Sequence, residues 1–105
     1  MKIKILDEAE RDLRDGFAFY ESQGAGLGDY FLNTLFSDID SLALYAGIHV
    51  RVFGFYRMLS SKFPYAVYYH LRNETVFVIA VLDCRQNPLR TKNRLMPTAK
   101  HEVIK

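Results

Sequence analysis

Arg57, Lys62, His70 and Arg85 are the residues of this sequence whose types could do chemistry together. Guanidinium groups make bidentate contacts to phosphate oxygens, and an ammonium adds a point charge beside them. A histidine or tyrosine among such cations would make RNA cleavage chemically conceivable. A base takes the proton of the 2′-hydroxyl, cations stabilise the charged phosphorane, and an acid protonates the leaving oxygen. The competing reading of the same residues is a solvated basic face on a sheet. Cys84 could act as a nucleophile with His70 as its base. The more ordinary use of a lone cysteine at a strand end is as a small buried residue.

Other chemistries lack their motifs. His49, His70 and His101 are far apart in sequence, and Cys84 has no neighbour at metal-ligand spacing, so no metal and no cofactor is expected. No phosphate-cradling glycine loop and no Gly-x-Ser-x-Gly elbow is present.

The elements that must position these residues are those of one small domain. The chain has 105 residues, half of them hydrophobic, with seven Tyr and eight Phe. That suffices for a core without staples. Net charge is only +2, a mild bias that does not by itself call for nucleic acid. The basic residues are concentrated late: Arg85, Arg90, Lys92, Arg94 and Lys100 follow one another with no acid between them. Residues 1–95 are expected to form the domain and 96–105 a basic C-terminal tail. The single cysteine allows no internal disulfide and suits a reducing, cytoplasmic setting. The opening Met-Lys-Ile-Lys-Ile-Leu turns charged too soon for a signal peptide, and no apolar run approaches a membrane span, so no membrane partner is expected.

Residues 2–6 alternate polar and apolar, as a half-buried strand does. Asp7 stands where a helix N-cap belongs, with Glu10 three residues on. Ala9, Leu13, Phe17 and Tyr20 then form one helical face, with Gly16 as a mild penalty. Gln23–Gly26 breaks the chain. A second helix is predicted over Leu27 to Ala46, with Leu27, Phe31, Leu35, Ile39, Leu42 and Ala46 as its stripe and Gly47 at C′. The remainder reads as β. Phe55–Ser61 is a modest strand. Tyr65–Leu71 is a strong one, with Val67, Tyr69 and Leu71 facing one way and Ala66, Tyr68 and His70 the other. Arg72–Thr75 makes a hairpin connection. Thr75–Leu82 is nearly continuous apolar sequence, fitting a central strand covered on one face and partly shielded on the other. Pro88 closes the β region, and a short last helix is expected around Leu89–Leu95. The expected fold is α+β in the order β-α-α-β-β-β, a helical hairpin on one face of a mainly antiparallel four-stranded sheet.

Arg57, Phe63-Pro64-Tyr65, Tyr68-Tyr69, the apolar run Val76–Leu82 and the turn Asp83–Pro88 occur in a series that resembles the RelE/ParE superfamily of bacterial type II toxin–antitoxin toxins. The resemblance spans about residues 1–90. In the turn, ParE-like members often read His-Gly-Arg-Arg-Asp-Pro; this chain reads Asp-Cys-Arg-Gln-Asn-Pro, keeping Arg85 and Pro88. In the ribosome-dependent nuclease branch an arginine is expected where Ala66 stands. That loss favours the ParE-like branch, which implies inhibition of DNA gyrase rather than catalysis by the toxin. The alternatives are a RelE-like endonuclease acting on ribosome-bound mRNA, with Arg57, Lys62, His70 and Arg85 as its catalytic set, and a non-toxic relative with a drifted turn. The resemblance also implies a cognate antitoxin draped over the helices and sheet edge. Phe31 and Leu35, with Arg85 and Arg90, are the residues expected to meet a partner. A homodimer is a further assembly compatible with the resemblance.

Overall fold

The computed structural model describes residues 1–97. Strand β1 (Lys2–Ile5) leads into helix α1 (Asp7–Glu21), which turns through Gly26 into α2 (Leu27–Asp40). A single further turn, α3 (Leu42–Tyr45), precedes strands β2 (Val50–Val52), β3 (Phe55–Leu59), β4 (Tyr65–Arg72) and β5 (Thr75–Asp83). Helix α4 (Pro88–Leu95) ends the described chain. The sheet has five strands in the order β1-β5-β4-β3-β2. β1 runs parallel to β5, and every other pair is antiparallel. The α+β class and the helical hairpin stand as expected. The corrections are a fifth strand, β2 at the edge, and a parallel first strand. Among the described residues no helix is long and apolar enough to cross a membrane.

Local chemistry explains where the helices begin and end. Asp7 is not the N-cap of α1. Leu6 holds that position in extended backbone, and Asp7, Glu8 and Glu10 lie in the first turn, where they favour the positive end of the helix dipole. α2 starts at Gly26, whose φ of 88° suits only glycine. Its orphan N–H groups find a carboxylate from the preceding helix: Gly26 and Gly28 both donate to Glu21 Oε1, at 3.2 and 2.9 Å. The predicted helix Leu27–Ala46 divides at Ser41. Its hydroxyl donates back to the Asp38 carbonyl at 2.6 Å, a local bond that competes with the helical ladder. Gly47 follows the end of α3 with φ 101°, as its predicted cap role requires.

The helical hairpin closes through two reciprocal contacts. A Cβ at Gly16 would lie 2.4 Å from the Phe31 ring, and one at Gly28 would lie 2.6 Å from the Phe17 ring. Gly16 is therefore the socket for Phe31, which outweighs its helix penalty. Beneath the hairpin lie Val67 and Tyr69 of β4, Val76, Val78 and Val81 of β5, and Met58 of β3, all buried. Alternation on β5 changes phase at Ile79, the extra residue opposite the Tyr68–Tyr69 step. Val76 and Val78 face the helices before the bulge; Val81 does so after it. On the opposite, distal face Ala66, Tyr68, Ala80 and Leu82 are closed over by Leu95 of α4.

Candidate functional site

The turn that joins β5 to α4 is held by its own side chains. Asp83 accepts from the backbone N–H of Arg85 at 2.8 Å, the arrangement of an Asx turn. The Arg85 guanidinium folds back on the same carboxylate, with Nε 2.9 Å from Oδ1 and Nη2 2.8 Å from Oδ2. Nη2 also reaches the Tyr20 hydroxyl of α1 at 3.5 Å. The side-chain hydrogen bond from Arg85 holds the Asp83 carboxyl below its usual range, and the same bond raises Arg85 further. Asn87 then caps α4, its Oδ1 accepting from Leu89 N–H at 2.8 Å, with Pro88 at the first helical position.

α4 is anchored from a distance. β1 ends at Ile5, so one edge of β5 is bare beyond Val78. Asp12 of α1 covers it by accepting from Val81 N–H at 2.9 Å. The same carboxylate takes a fork from Arg94, at 2.9 and 2.7 Å, and Glu8 accepts from Arg94 Nε at 3.1 Å. Asp12 was not singled out by any sequence pattern, because its partners lie 69 and 82 residues away. Its placement on α1 one residue from Leu13 is the only local signal.

The four basic residues singled out in sequence separate into two pairs. Arg57 pairs in register with Tyr68, and the Phe55 ring lies 6.3 Å from His70, so Arg57 and His70 share the distal face. His70 lies between Phe55 and Phe77, stacked on the latter at 5.1 Å. Burial, with help from the Arg72 charge, lowers its pKa. Lys62 and Arg85 lie on the other side: the Lys62 ammonium is over the Tyr30 ring of α2, and Arg85 reaches Tyr20 of α1. Phe31 and Leu35 are both fully buried in the core, so neither presents its side chain to a partner. The apolar side chains that α2 leaves exposed are Leu27, Tyr30 and Phe36. Arg90 is exposed on α4 and lines a cleft of about 320 Å³ between the turn and α1. Lys100, His101 and most of the predicted basic tail lie outside the described residues.

Cys84 is exposed and borders a cavity with Arg57 and Tyr68. Burial is the largest influence on its thiol and raises its pKa, which leaves it a poor nucleophile at neutral pH. His70 lies outside that cavity's lining. Among the described residues no cluster of His, Cys, Asp and Glu could hold a metal ion.

The sequence from residue 3 to residue 88 matches the family model for the ParE toxin of type II toxin–antitoxin systems, parDE. The chain belongs to the ParE toxin family. The match ends at Pro88 and so includes the Arg85 turn. A solved structure from the chromosomal ParDE toxin–antitoxin system of P. aeruginosa shares the fold, with a TM-score of 0.65 at 14% identity. The alignment covers 77% of this chain and 92% of that one. No curated protein matches the sequence significantly. As a ParE-family member, the chain is of the toxin type of a two-component module, and the expectation drawn from Arg57 through Pro88 stands at that level.

Proposed function

We propose that this ParE-family chain arrests growth by binding and inhibiting DNA gyrase, and that a cognate antitoxin neutralises it. The observation that carries this reading is the family match through Pro88, which takes in the turn that carries Arg85. The division of the basic residues supports it. RNA cleavage by Arg57, Lys62, His70 and Arg85 needs all four around one phosphate, and they lie on two sides of the sheet. A nuclease acting on ribosome-bound mRNA would have to work with Arg57 and His70 alone of that set. The exposed Leu27, Tyr30 and Phe36 on α2 suit an antitoxin segment that folds as it binds, in place of the buried Phe31 and Leu35.

A supercoiling assay with purified gyrase tests the target. Inhibition that rises with toxin and is reversed by antitoxin is expected; normal supercoiling at a large toxin excess overturns the reading. Induced expression without antitoxin should stop growth, and growth unchanged at full expression would mark the chain as a non-toxic relative.

A further inference from the structure

Among the described residues one buried side-chain polar atom has no hydrogen-bond partner, and it is Arg57 Nε. A buried donor without a partner costs about 1–3 kcal/mol, more when it is charged, so native folds seldom keep one without a use. None of the ion pairs among the described residues involves Arg57. Its side chain lines a cavity of about 270 Å³ on the distal face, together with Val52, Phe53, Tyr68, Cys84 and Thr91.

Three separate elements build this cavity. One wall is the β2–β3 turn, where Phe53 and Gly54 take φ values of 53° and 87°. A left-handed phenylalanine is strained. The turn is held in that shape by Arg51, whose Nη2 donates to the Gly54 carbonyl at 2.8 Å. The floor is the cross-strand pair Arg57 and Tyr68. The far wall is the lead into α4, where Gln86 donates to Thr91 Oγ1 at 3.2 Å. Burial raises the pKa of both the Tyr68 phenol and the Cys84 thiol. Arg57 is the one charged residue in the lining.

We infer that this cavity is a binding site for a single carboxylate group, taken by the Arg57 guanidinium with the Tyr68 hydroxyl as a neighbouring donor. A guanidinium edge matches the two oxygens of a carboxylate. Arg57 Nε is itself buried, so the ligand meets the terminal nitrogens first and gives Nε an acceptor only if the side chain turns toward the cavity. The charge count selects the ligand class. One cation balances one carboxylate, whereas a phosphate group near −2 would leave uncompensated negative charge in a partly desolvated space. The carboxylate can belong to a small free acid or to an acidic side chain of a peptide; the chemistry at Arg57 is the same. The inference is independent of the target assigned above.

Nitrogen-15 NMR on the full chain at pH 7 and constant ionic strength, following the Arg57 Nε–H resonance, tests it. The probes are sodium acetate, N-acetylglutamate α-methylamide, the matching glutamine amide and inorganic phosphate. Both carboxylates should shift the Arg57 resonance saturably, and the glutamine amide should not. Tighter binding of the glutamate compound than of acetate assigns a peptide source; equal affinity assigns a small free acid. Arg57→Lys, which keeps the charge but loses the fork, should weaken binding at least about tenfold, and Tyr68→Phe by less. The inference fails if the wild-type resonance shows no saturable shift, if phosphate binds more tightly than either carboxylate, or if a folded Arg57→Lys protein binds as well as wild type. The wild-type titration decides the matter even if a variant does not fold.

Discussion

On the side covered by α1 and α2, the sheet buries Val67, Tyr69, Val76 and Val78 completely, and even the Tyr69 hydroxyl is used, accepting from Gly47 N–H at 2.9 Å. On the distal side only the end beneath α4 is closed, by Leu95 over Ala66, Tyr68, Ala80 and Leu82. The rest of that side shows a row of part-exposed rings, Phe55, His70 and Phe77, with the Arg72 guanidinium 5.7 Å from the last. Arg57 Nε, which has no hydrogen-bond partner among the described residues, lies on this side too. One face is finished as an interior, with apolar volume filled and polar groups satisfied. The other keeps one buried donor, Arg57 Nε, without a hydrogen-bond partner among the described residues.

The comparison is tested most severely at Phe31. Its ring fills the socket at Gly16 and stacks on Tyr20 at 5.2 Å. Phe31→Ala should cost about 3–5 kcal/mol, read as a lower urea midpoint with little change in slope. Phe77→Ala, on the open part of the distal face, should cost less than half as much. Equal losses would mean that both faces are interior.

Next in size is the anchor that holds α4 in place. The Asp12 and Arg94 side chains are only 11% and 26% exposed, so their pair is better shielded than a surface ion pair. Asp12→Ala leaves Val81 N–H without its acceptor and Arg94 without its fork. The expected loss is about 1–3 kcal/mol. Hydrogen exchange sharpens the test, because the α4 amides should gain exchange while those of β4 change little. Uniform acceleration across the chain would show that α4 is part of the same cooperative unit as the core.

Much of this arrangement was legible in the sequence, and what was not has physical causes. The alternation Val67, Tyr69, Leu71 against Ala66, Tyr68, His70 is plain on β4, and the two faces follow it. β5 hid its bulge at Ile79 because a continuous apolar run shows no phase to break. β2 is three residues long, too short for periodicity, although Gly54 marked the turn after it. The parallel pairing of β1 with β5 joins strands separated in the chain by the helices and by β2, β3 and β4, which local pattern does not encode. Arg57, Lys62, His70 and Arg85 could be named from residue type, but their division between faces is set by strand register. Arg85 was singled out as a presented cation. That it is tied to Asp83 two residues earlier was open to inspection, since aspartates at turns commonly bond the backbone two residues on.

The smallest effect on stability tests the turn itself. Asp83 and Arg85 are 27% and 56% exposed, so solvent screens their pair and Asp83→Asn should change stability by less than about 1 kcal/mol. The sign with pH follows from the lowered pKa of Asp83. A carboxyl depressed on folding contributes stability that is fully present above its ordinary pKa of 3.8 and is lost as pH falls through the lower folded value. Urea midpoints of the variant should therefore match wild type most closely at the acid end and fall slightly behind above about pH 4. Asparagine keeps the acceptor for Arg85 N–H, so the turn should persist while the guanidinium is released. If Arg85 meets gyrase, the variant should inhibit supercoiling at lower concentration than wild type, because the guanidinium no longer has to leave a carboxylate to bind. Unchanged potency in a protein of unchanged fold would remove Arg85 from the contact and shift attention to Arg90, the exposed cation one turn into α4.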